Sequence, residues 1–479
     1  MPIPKIIHQL WIGPHPPPTE LMNTWKDKHI EQQNRDSNIE YIFWTENTGV
    51  FALPSIFPLH GKSTTGHTYY LKCSVMSAVR GAREWCGKAD IYRWDILYQY
   101  GGFFTDADAI CIEPLDDFFF EDTNGFATFE NEFVRDNLIA IGNLGFPPRH
   151  KMCADALELF ANPEYIEYIS GETPPWATTG PRLITQFLDS GKYADFSIFG
   201  SHCFLPHHHS GIIYEGHKKV YAYQEWSSTK KNCDTLNYTT TIPTDLMPPT
   251  RWVSLLISHY NNNSDNSDGG GTGANSDCPE HTDAIRGGGG GGGGGGAENK
   301  NDIEKMLASI RDQNGHFGIE IVWMDAVGGT GGERRLSQIR EFLKTTRFIT
   351  LYVVVAVSEG ATTVSLTKLR GDILFYIHST DVILPEKIKT QLHHMDKHPE
   401  CVLCGSNVMF LVNKEKTNYP TLITKYQFQK TRAMVDIIHP SSRCVRKSAL
   451  FGRPKVDTEY ILETFGEIHN VPDILTHIK

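Results

Sequence analysis

Two aspartates, Asp106 and Asp108, stand two positions apart directly after the apolar run Phe103-Phe104-Thr105. The run predicts a short buried strand, and alternate residues of an extended chain point to the same side. We therefore expect the two carboxylates to face the same way at the end of that strand. A buried carboxylate pair needs a cation or hydrogen-bond donors, and carboxylate oxygens are ligands that magnesium and manganese prefer. The spacing predicts a divalent metal site.

The segment before this strand predicts the helix that positions the pair. Apolar residues recur there at helical spacing, and Gly101-Gly102 ends the pattern where a left-handed backbone is needed. Asp90 and Arg93 are three positions apart, so they share one side of the helix. An acid and a base beside a metal-binding strand end suit a ligand that carries hydroxyls and phosphates. A surface ion pair beside an acidic turn is the simpler interpretation, and the coincidence of four features argues against it.

The motif Lys-Ala-Asp-Ile-Tyr-Arg-Trp, followed by Tyr-Gly-Gly and Asp-Ala-Asp, resembles the sugar-binding region of a glycosyltransferase family. That family includes yeast initiating α-mannosyltransferases and related bacterial and giant-virus enzymes. The large clostridial glucosylating toxins are similar to it more distantly. The opening segment, from Ile3 to Gly13, is similar to the family's first strand. The resemblance covers roughly the first half of the chain and implies transfer with retention of anomeric configuration.

The resemblance extends to further candidate site residues. His8, Gln9 and Trp11 stand at the end of the predicted first strand, where a nucleotide base could stack. Thr179 and Gly180 belong to a Thr-Gly-Pro that lines the sugar site in the family, although a helix start with a threonine N-cap is an equal interpretation.

Glu225 and Ser228 match the spacing of additional metal ligands in the glucosylating toxins, and Trp226 lies between them. Many family members carry histidine at this place, which this chain lacks, so the third metal ligand stays open. The loop with His202 and the run His207-His208-His209 is interpreted as solvated, because three adjacent side chains on a loop do not converge readily on one ion.

Composition limits the classes of function. The chain has 479 residues, 40% of them hydrophobic, and a formal net charge of -11. The length predicts two or more domains, and the negative charge argues against a nucleic-acid partner. No apolar run is long enough to cross a bilayer, and no secretory signal precedes the first strand. The 10 cysteines are interpreted as reduced thiols. We therefore expect a cytoplasmic protein, in the host cytoplasm if the source is viral.

Strands alternate with helices, which predicts an α/β fold with a mostly parallel sheet. We expect two tandem nucleotide-sugar-binding domains of the Rossmann-like GT-A type, at 1–248 and 249–479. The second begins with a strand from Trp252 and resembles the large inverting glycosyltransferase family that includes cellulose and chitin synthases. A flexible glycine-rich insertion is expected at 263–298, because glycine chains lose much entropy on ordering and bury no apolar area.

The second domain departs from that family's metal motif. His378-Ser379-Thr380-Asp381 stands where the family has Asp-X-Asp-Asp, so two expected carboxylates are missing. We expect a degenerate domain that serves acceptor binding or assembly. The alternative is a transferase with weak or no metal dependence that uses Asp325, Asp381 and Glu459.

The predicted function is metal-dependent transfer of a hexose from a UDP- or GDP-sugar to a sugar or protein acceptor. In this scheme Asp106 and Asp108 hold Mn²⁺ or Mg²⁺, and Asp90 and Arg93 bind the hexose. A bifunctional transferase and a non-catalytic glycan-binding protein are the alternatives. A glycoside hydrolase places its carboxylates across a cleft, and a sugar-nucleotide pyrophosphorylase needs a glycine-rich, lysine-bearing segment where Pro14 to Pro18 stand.

Overall fold

The computed structural model describes residues 1–31, 38–48, 58–239, 242–259, 300–325, 332–355, 368–412, 415–417, 443–450 and 467–478. The chain divides into two compact units, Met1–Pro248 and Pro249–Lys479. The insertion expected at 263–298 and the candidate base Glu459 lie outside the described residues.

The strands of the first unit are β1 (Ile6–Leu10), β2 (Glu40–Glu46), β3 (Leu59–Ser63), β4 (Thr68–Leu71), β5 (Gly102–Thr105), β6 (Ala109–Cys111), β7 (Phe126–Thr128), β8 (Asn143–Phe146), β9 (Ser197–Phe199) and β10 (Ala222–Gln224). Its α-helices are α1 (Thr19–Lys26), α2 (Met76–Gly81), α3 (Trp85–Tyr100), α4 (Phe118–Glu121), α5 (Lys151–Ala161), α6 (Pro163–Ser170), α7 (Pro175–Thr178), α8 (Pro181–Asp189), α9 (Ser227–Lys230) and α10 (Leu236–Thr239).

One sheet of the first unit has the strand order β4-β3-β2-β1-β5-β8-β7-β9, and β10 pairs with β6 separately. Strand β1 lies between β2 and β5, parallel to both, and β5 pairs antiparallel with β8. The carboxyl ends of three parallel strands therefore meet at one edge, where ligands bind in open α/β sheets.

The expected helix, glycine stop and strand are confirmed. Helix α3 ends at Tyr100 and is capped by Gly101, whose φ is 65°, and Gly102 follows with φ 97°. A Cβ at Gly102 would lie 2.7 Å from the Ile6 carbonyl oxygen, so glycine is needed for β5 to approach β1. Trp94 on α3 and Phe103 on β5 are fully buried. Burying each of them stabilises the unit by about 2–3 kcal/mol, which fixes the two elements that carry the acidic residues.

Helix α1 begins at Thr19 and ends at Lys26, where a π-helical turn, Asp27–Glu31, follows it. Among the described residues, nine cysteines are free. Cys401 and Cys404 form a Cys-X-X-Cys spacing on one strand.

The strands of the second unit are β11 (Trp252–His259), β12 (Gly318–Asp325), β13 (Ile349–Val355), β14 (Ile373–His378), β15 (Val382–Ile383), β16 (Cys401–Val412), β17 (Glu415–Thr417), β18 (Cys444–Arg446) and β19 (Glu467–Ile478). Its α-helices are α11 (Lys300–Arg311), α12 (Gly332–Leu343) and α13 (Lys387–Lys397). The strand order is β13-β12-β11-β14-β18-β16-β19-β15, and β17 pairs with β16. Strand β11 is parallel to β12 and β14, and β14 is antiparallel to β18.

Both units are thus mixed α/β structures. Among the described residues, no helix combines the length and the apolar character that a membrane crossing requires.

Candidate active site

A cavity of 620 Å³ lies where β5 ends in the first unit. Acidic, basic and aromatic side chains share its wall. The lining includes Trp11, Trp85, Asp90, Arg93, Asp106, Asp108, Glu130, Trp176, Gln224, Trp226, Ser227 and Ser228. The structure therefore brings together the aspartate pair, the Asp90–Arg93 pair and several aromatic rings from distant parts of the chain.

The two aspartates occupy a turn, which differs from the extended segment expected. Strand β5 ends at Thr105, and the backbone N–H of Ala109 donates to the Asp106 carbonyl at 3.1 Å before β6 begins. The turn, rather than strand alternation, places both residues on the cavity wall.

Asp106 is fixed from three sides. Arg93 Nη2 donates to Asp106 Oδ1 at 2.5 Å, and Gln224 Nε2 donates to Oδ2 at 2.8 Å. Gln9 Nε2 donates to the Asp106 carbonyl oxygen at 3.0 Å. A Cβ at Gly142 would meet Oδ2 at 2.7 Å, so glycine is required where this carboxylate lies. These contacts hold Asp106 in one orientation.

Asp108 is buried beside Asp106. Burial raises the pKa of its carboxyl group to about 6, and repulsion from Asp106 adds to this. The backbone N–H of Ser227 donates to Asp108 Oδ2 at 2.7 Å, and that of Glu225 donates to the Asp108 carbonyl oxygen at 3.1 Å. The segment after β10 therefore packs against Asp108.

Asp90 forms the second acidic position of the wall. Burial raises its pKa to about 7, against the opposing effect of Arg93, whose Nη2 lies 3.9 Å from Asp90 Oδ1. The Thr179 hydroxyl donates to Asp90 Oδ2 at 3.1 Å. Arg93 also donates to the Ile141 carbonyl oxygen, and its guanidinium lies 4.6 Å from the Phe104 ring centroid. A single buried arginine thus compensates in part the charges of the buried Asp90 and the partly exposed Asp106.

The donor set fits a hard divalent cation. Desolvation and mutual repulsion make the charged state of Asp108 unfavourable, and a divalent ion bound by oxygens of Asp106 and Asp108 would relieve both effects. Gln224, which sequence reasoning missed, orients one of those oxygens.

The residues predicted at the end of β1 divide into two groups. Trp11 lines the cavity, and its indole N–H donates to the His15 carbonyl oxygen at 2.7 Å. His8 and Gln9 are fully buried and do not belong to the lining. His8 donates to the Gly101 carbonyl oxygen at 2.8 Å and accepts from Trp44 Nε1 at 3.1 Å, so both ring nitrogens are engaged. The structure thus gives His8 and Gln9 positions behind the wall rather than contacts within the cavity.

The predicted residues after β10 also divide. Trp226 and Ser228 line the cavity, whereas Glu225 does not, and Glu225 Oε2 lies 3.4 Å from Lys230 Nζ. Strand alternation explains the difference, because the side chain of Gln224 points toward Asp106 and that of the next residue turns away. Trp226 takes a left-handed backbone with φ 60°, which reverses the chain at this point.

Thr179 and Gly180 lie behind Asp90, outside the lining of the main cavity. The N-cap of α8 is Gly180, with Pro181 in the first turn, so the expected threonine N-cap is wrong. The Thr179 hydroxyl instead lies 3.1 Å from Asp90 Oδ2, with the Pro175 carbonyl oxygen as a second possible acceptor at 3.3 Å.

The histidine-rich loop, which was expected to be solvated, is solvated only in part, because His209 is exposed whereas His208 is buried. His207 Nε2 lies 2.6 Å from Asp245 Oδ2, and His208 is 4% exposed. The indole N–H of Trp226 donates to the His207 carbonyl oxygen at 2.8 Å. The loop therefore packs against the segment that forms one cavity wall.

At the end of β14, the corresponding strand of the second unit, the polar groups form hydrogen bonds with one another. The backbone N–H of His378 donates to Asp381 Oδ2 at 3.1 Å, and that of Asp381 donates to the His378 carbonyl oxygen at 3.0 Å. His378 Nδ1 lies 2.8 Å from the Thr380 hydroxyl, and Asp381 is 1% exposed. The carboxylate of Asp381 therefore stabilises its own turn.

The part of the chain that contains this site is similar to known proteins. Residues 19–124 match a family model described as a glycosyltransferase sugar-binding region containing a DXD motif. Inositol phosphoceramide mannosyltransferases 3 and 2 of Schizosaccharomyces pombe are 26% and 27% identical to the chain over 114 residues. These matches span 24% of this chain and 26% and 27% of the relatives, about a quarter of the relatives' length.

Among solved structures, residues 1–349 of S. aureus TarS in complex with UDP-GlcNAc match with a TM-score of 0.31 and 12% identity. That match covers 47% of this chain and 58% of the other. The expectation of a glycosyltransferase region is confirmed by the family model, which includes Asp90, Arg93, Asp106 and Asp108.

Proposed function

We propose that the first unit transfers a hexose from a nucleoside-diphosphate sugar to an acceptor, with the 620 Å³ cavity as its active site. One observation carries the proposal. Asp106, Asp108, Asp90 and Arg93 line the same cavity, and all four lie within the region that matches the DXD glycosyltransferase model. The proposed activity is the glycosyl transfer expected from the sequence.

Each side chain has a distinct part in this proposal. Asp106 and Asp108 are the residues that hold Mn²⁺ or Mg²⁺, with Gln224 and Arg93 fixing Asp106. When bound, a divalent ion stabilises the negative charge that develops on the departing nucleoside diphosphate. Asp90 accepts hydrogen bonds from hexose hydroxyls, and Arg93 neutralises the acidic wall near the phosphates. Trp11 offers an aromatic face to the nucleotide base.

GDP-mannose is the first donor to test, because two relatives over the matched region are named mannosyltransferases. A sugar or protein is the proposed acceptor, and retention of anomeric configuration follows from the family resemblance. We assign the second unit a non-catalytic part in acceptor binding or assembly, because Asp381 is engaged within its own turn. The cytoplasm remains the proposed compartment.

The test is a donor screen on the full chain. GDP-mannose, UDP-glucose and UDP-N-acetylglucosamine are titrated calorimetrically with MnCl₂ and with EDTA, and nucleotide release is followed after acceptors are added. We expect one donor to bind only with metal, and its nucleotide to be released faster when acceptor is present. The anomeric configuration of the product is read by proton NMR.

Two results would contradict the proposal. Binding of no sugar nucleotide in the presence of Mn²⁺ would remove the donor site. Metal-dependent binding with no transfer to any acceptor, sugar or protein, would favour the non-catalytic alternative.

A further inference from the structure

A second group of potential metal ligands lies at the edge of the cavity, away from Asp106 and Asp108. Glu130, His208 and His209 each offer one ligand atom, and these atoms all lie within 4.8 Å of one another. Two imidazoles and one carboxylate form a different donor set from the all-oxygen pair. Imidazole favours zinc and similar transition ions over magnesium and manganese.

The fold holds the three residues together. Glu130 follows β7, and its backbone N–H donates to the Leu138 carbonyl oxygen at 2.8 Å. The histidines lie in a tight loop that closes when the His208 N–H donates to the Ile212 carbonyl oxygen at 2.8 Å. His208 Nε2 lies 3.4 Å from Glu130 Oε1, so two of the three potential ligand atoms are already in contact.

Trp226 fixes both imidazole rings. Its indole packs edge-on against His208 at 5.1 Å and against His209 at 5.2 Å between ring centroids. The backbone N–H of Ser210 donates to His208 Nδ1 at 3.2 Å, the Ser210 hydroxyl lies 2.7 Å from the same nitrogen, and Nε2 faces Glu130. Metal binding at Nε2 requires the ring proton on Nδ1, from where it can be donated to the Ser210 hydroxyl.

Charge around the group favours a cation as its occupant. The Glu130 side chain is 10% exposed and that of His208 is 1% exposed. Two nitrogen groups lie near Glu130 Oε1: His208 Nε2 at 3.4 Å and Arg135 Nη1 at 4.0 Å. The Arg135 side chain is 48% exposed, so solvent screens its effect. His208 is a neutral ligand when a metal binds, so a cation that enters the group stabilises the buried carboxylate.

We propose that Glu130, His208 and His209 bind one Zn²⁺, with a fourth position left for water or a substrate group. Two histidines and a glutamate supply three ligands of a tetrahedral site, the arrangement of zinc centres that keep an open position. Glu130 and Trp226 also line the cavity, so the ion would lie at the edge of that cavity.

Zinc binding to the full chain tests the site without any activity assay. Protein stripped with EDTA is titrated with Zn²⁺ in competition with a chromophoric chelator. We expect tight binding that weakens about 10- to 100-fold or more in His209→Ala and in Glu130→Gln. His209 is exposed, so its removal leaves the core intact. His67→Ala, which removes an exposed histidine from the turn between β3 and β4, is the matched control and should bind as the unchanged chain does.

A variant of the acidic pair separates this site from the proposed active site. Asp106→Asn with Asp108→Asn should keep the Zn²⁺ affinity attributed to the histidine group. Cobalt replaces zinc as a spectroscopic probe, and His208→Ala should remove its visible absorption. Unchanged zinc affinity in both His209→Ala and Glu130→Gln would overturn the proposal, whatever the outcome of the sugar-nucleotide experiments.

Discussion

The two units repeat one arrangement of strands and differ in the residues at the end of one strand. In the first unit β1 lies between parallel β2 and β5, and β5 pairs antiparallel with β8. In the second unit β11 lies between parallel β12 and β14, and β14 pairs antiparallel with β18. Strand β5 leads to Asp106 and Asp108 in a cavity, whereas β14 leads to a closed turn at Asp381. Two units with the same strand order can therefore differ in the reactions they support, because these depend on the side chains that follow the strand.

The two strand ends also differ in how the charge of their buried aspartate is stabilised. Asp108 is buried beside a like charge, and burial raises its pKa to about 6. Asp381 is also buried, but its carboxylate accepts from the His378 backbone N–H within the same turn. The end of β5 therefore keeps an unfavourable arrangement of charges that a ligand can relieve. At the end of β14, the charge of Asp381 is already stabilised by a hydrogen bond within its own turn. Functional sites commonly retain such local conflicts.

The largest expected effect separates the two aspartates. Asp108→Asn should lower transfer at least about 10³-fold, because it removes a carboxylate from the proposed metal site. Asp381→Asn is the matched change in the second unit and should leave transfer within about 2-fold, since an amide oxygen can still accept from His378. Turnover with GDP-mannose and Mn²⁺, together with the circular dichroism of each variant, measures this. Comparable losses in both variants would mean that the second unit takes part in catalysis.

The next largest loss of transfer activity is expected for a substitution of Arg93. Arg93→Lys keeps one positive charge but offers a single nitrogen in place of the two with which Arg93 contacts Asp106 and Ile141, so transfer should fall about 10²-fold. Arg251→Lys is the control, because Arg251 forms a surface pair with Asp396 at 2.7 Å in the second unit. Steady-state kinetics of both variants measure the effect. Full activity of Arg93→Lys would show that the fork of the guanidinium is not needed.

A smaller effect concerns hydroxyls that donate to buried carboxylates. Thr179→Val removes the donor to Asp90 and should lower kcat/KM about 10-fold. Ser254→Ala removes the donor to Glu320, at 2.7 Å in the second unit. It should lower the free energy of unfolding by about 1–2 kcal/mol and leave transfer unchanged. A loss of stability without a loss of activity in Thr179→Val would make the two positions equivalent and remove the assigned role.

A further expected effect, on stability rather than on transfer, is a pH dependence in the first unit. Burial lowers the pKa of His29 from 6.5 to about 4, and the ring donates to the Trp25 carbonyl oxygen and accepts from the Leu115 N–H. The folded state thus favours the neutral ring, so this stabilisation is complete above pH 6.5 and is lost as the pH falls toward 4. From pH 7.5 to 4.5 the loss is about 2 kcal/mol.

His29→Gln lacks this titration, so its free energy of unfolding relative to the unchanged chain should improve by that amount over the same pH range. His393→Gln changes an exposed histidine on α13 of the second unit and is the control. Urea unfolding at a series of pH values compares the three proteins. A constant difference between His29→Gln and the unchanged chain would contradict the burial of a neutral imidazole.

Local sequence determined the elements that carry the acidic residues. Helical spacing before Gly101-Gly102 and the apolar run after it predict α3 and β5, because periodicity and glycine stops act over a few residues. Residue types alone also indicated a hard-cation site, since two carboxylates this close require a positive partner.

Tertiary structure decided which side chains reach the cavity. His8 and Gln9 share a strand end with Trp11, yet both lie behind the wall, because packing against Trp44 and Tyr41 engages their polar atoms. Gln224 rather than Glu225 meets Asp106, since pairing of β10 with β6 sets which alternate side chain faces inward. Likewise, Glu130 lies beside His208 although 78 positions separate them. Contacts of this kind depend on sheet register and loop closure over long separations, which residue type and spacing along the chain do not specify.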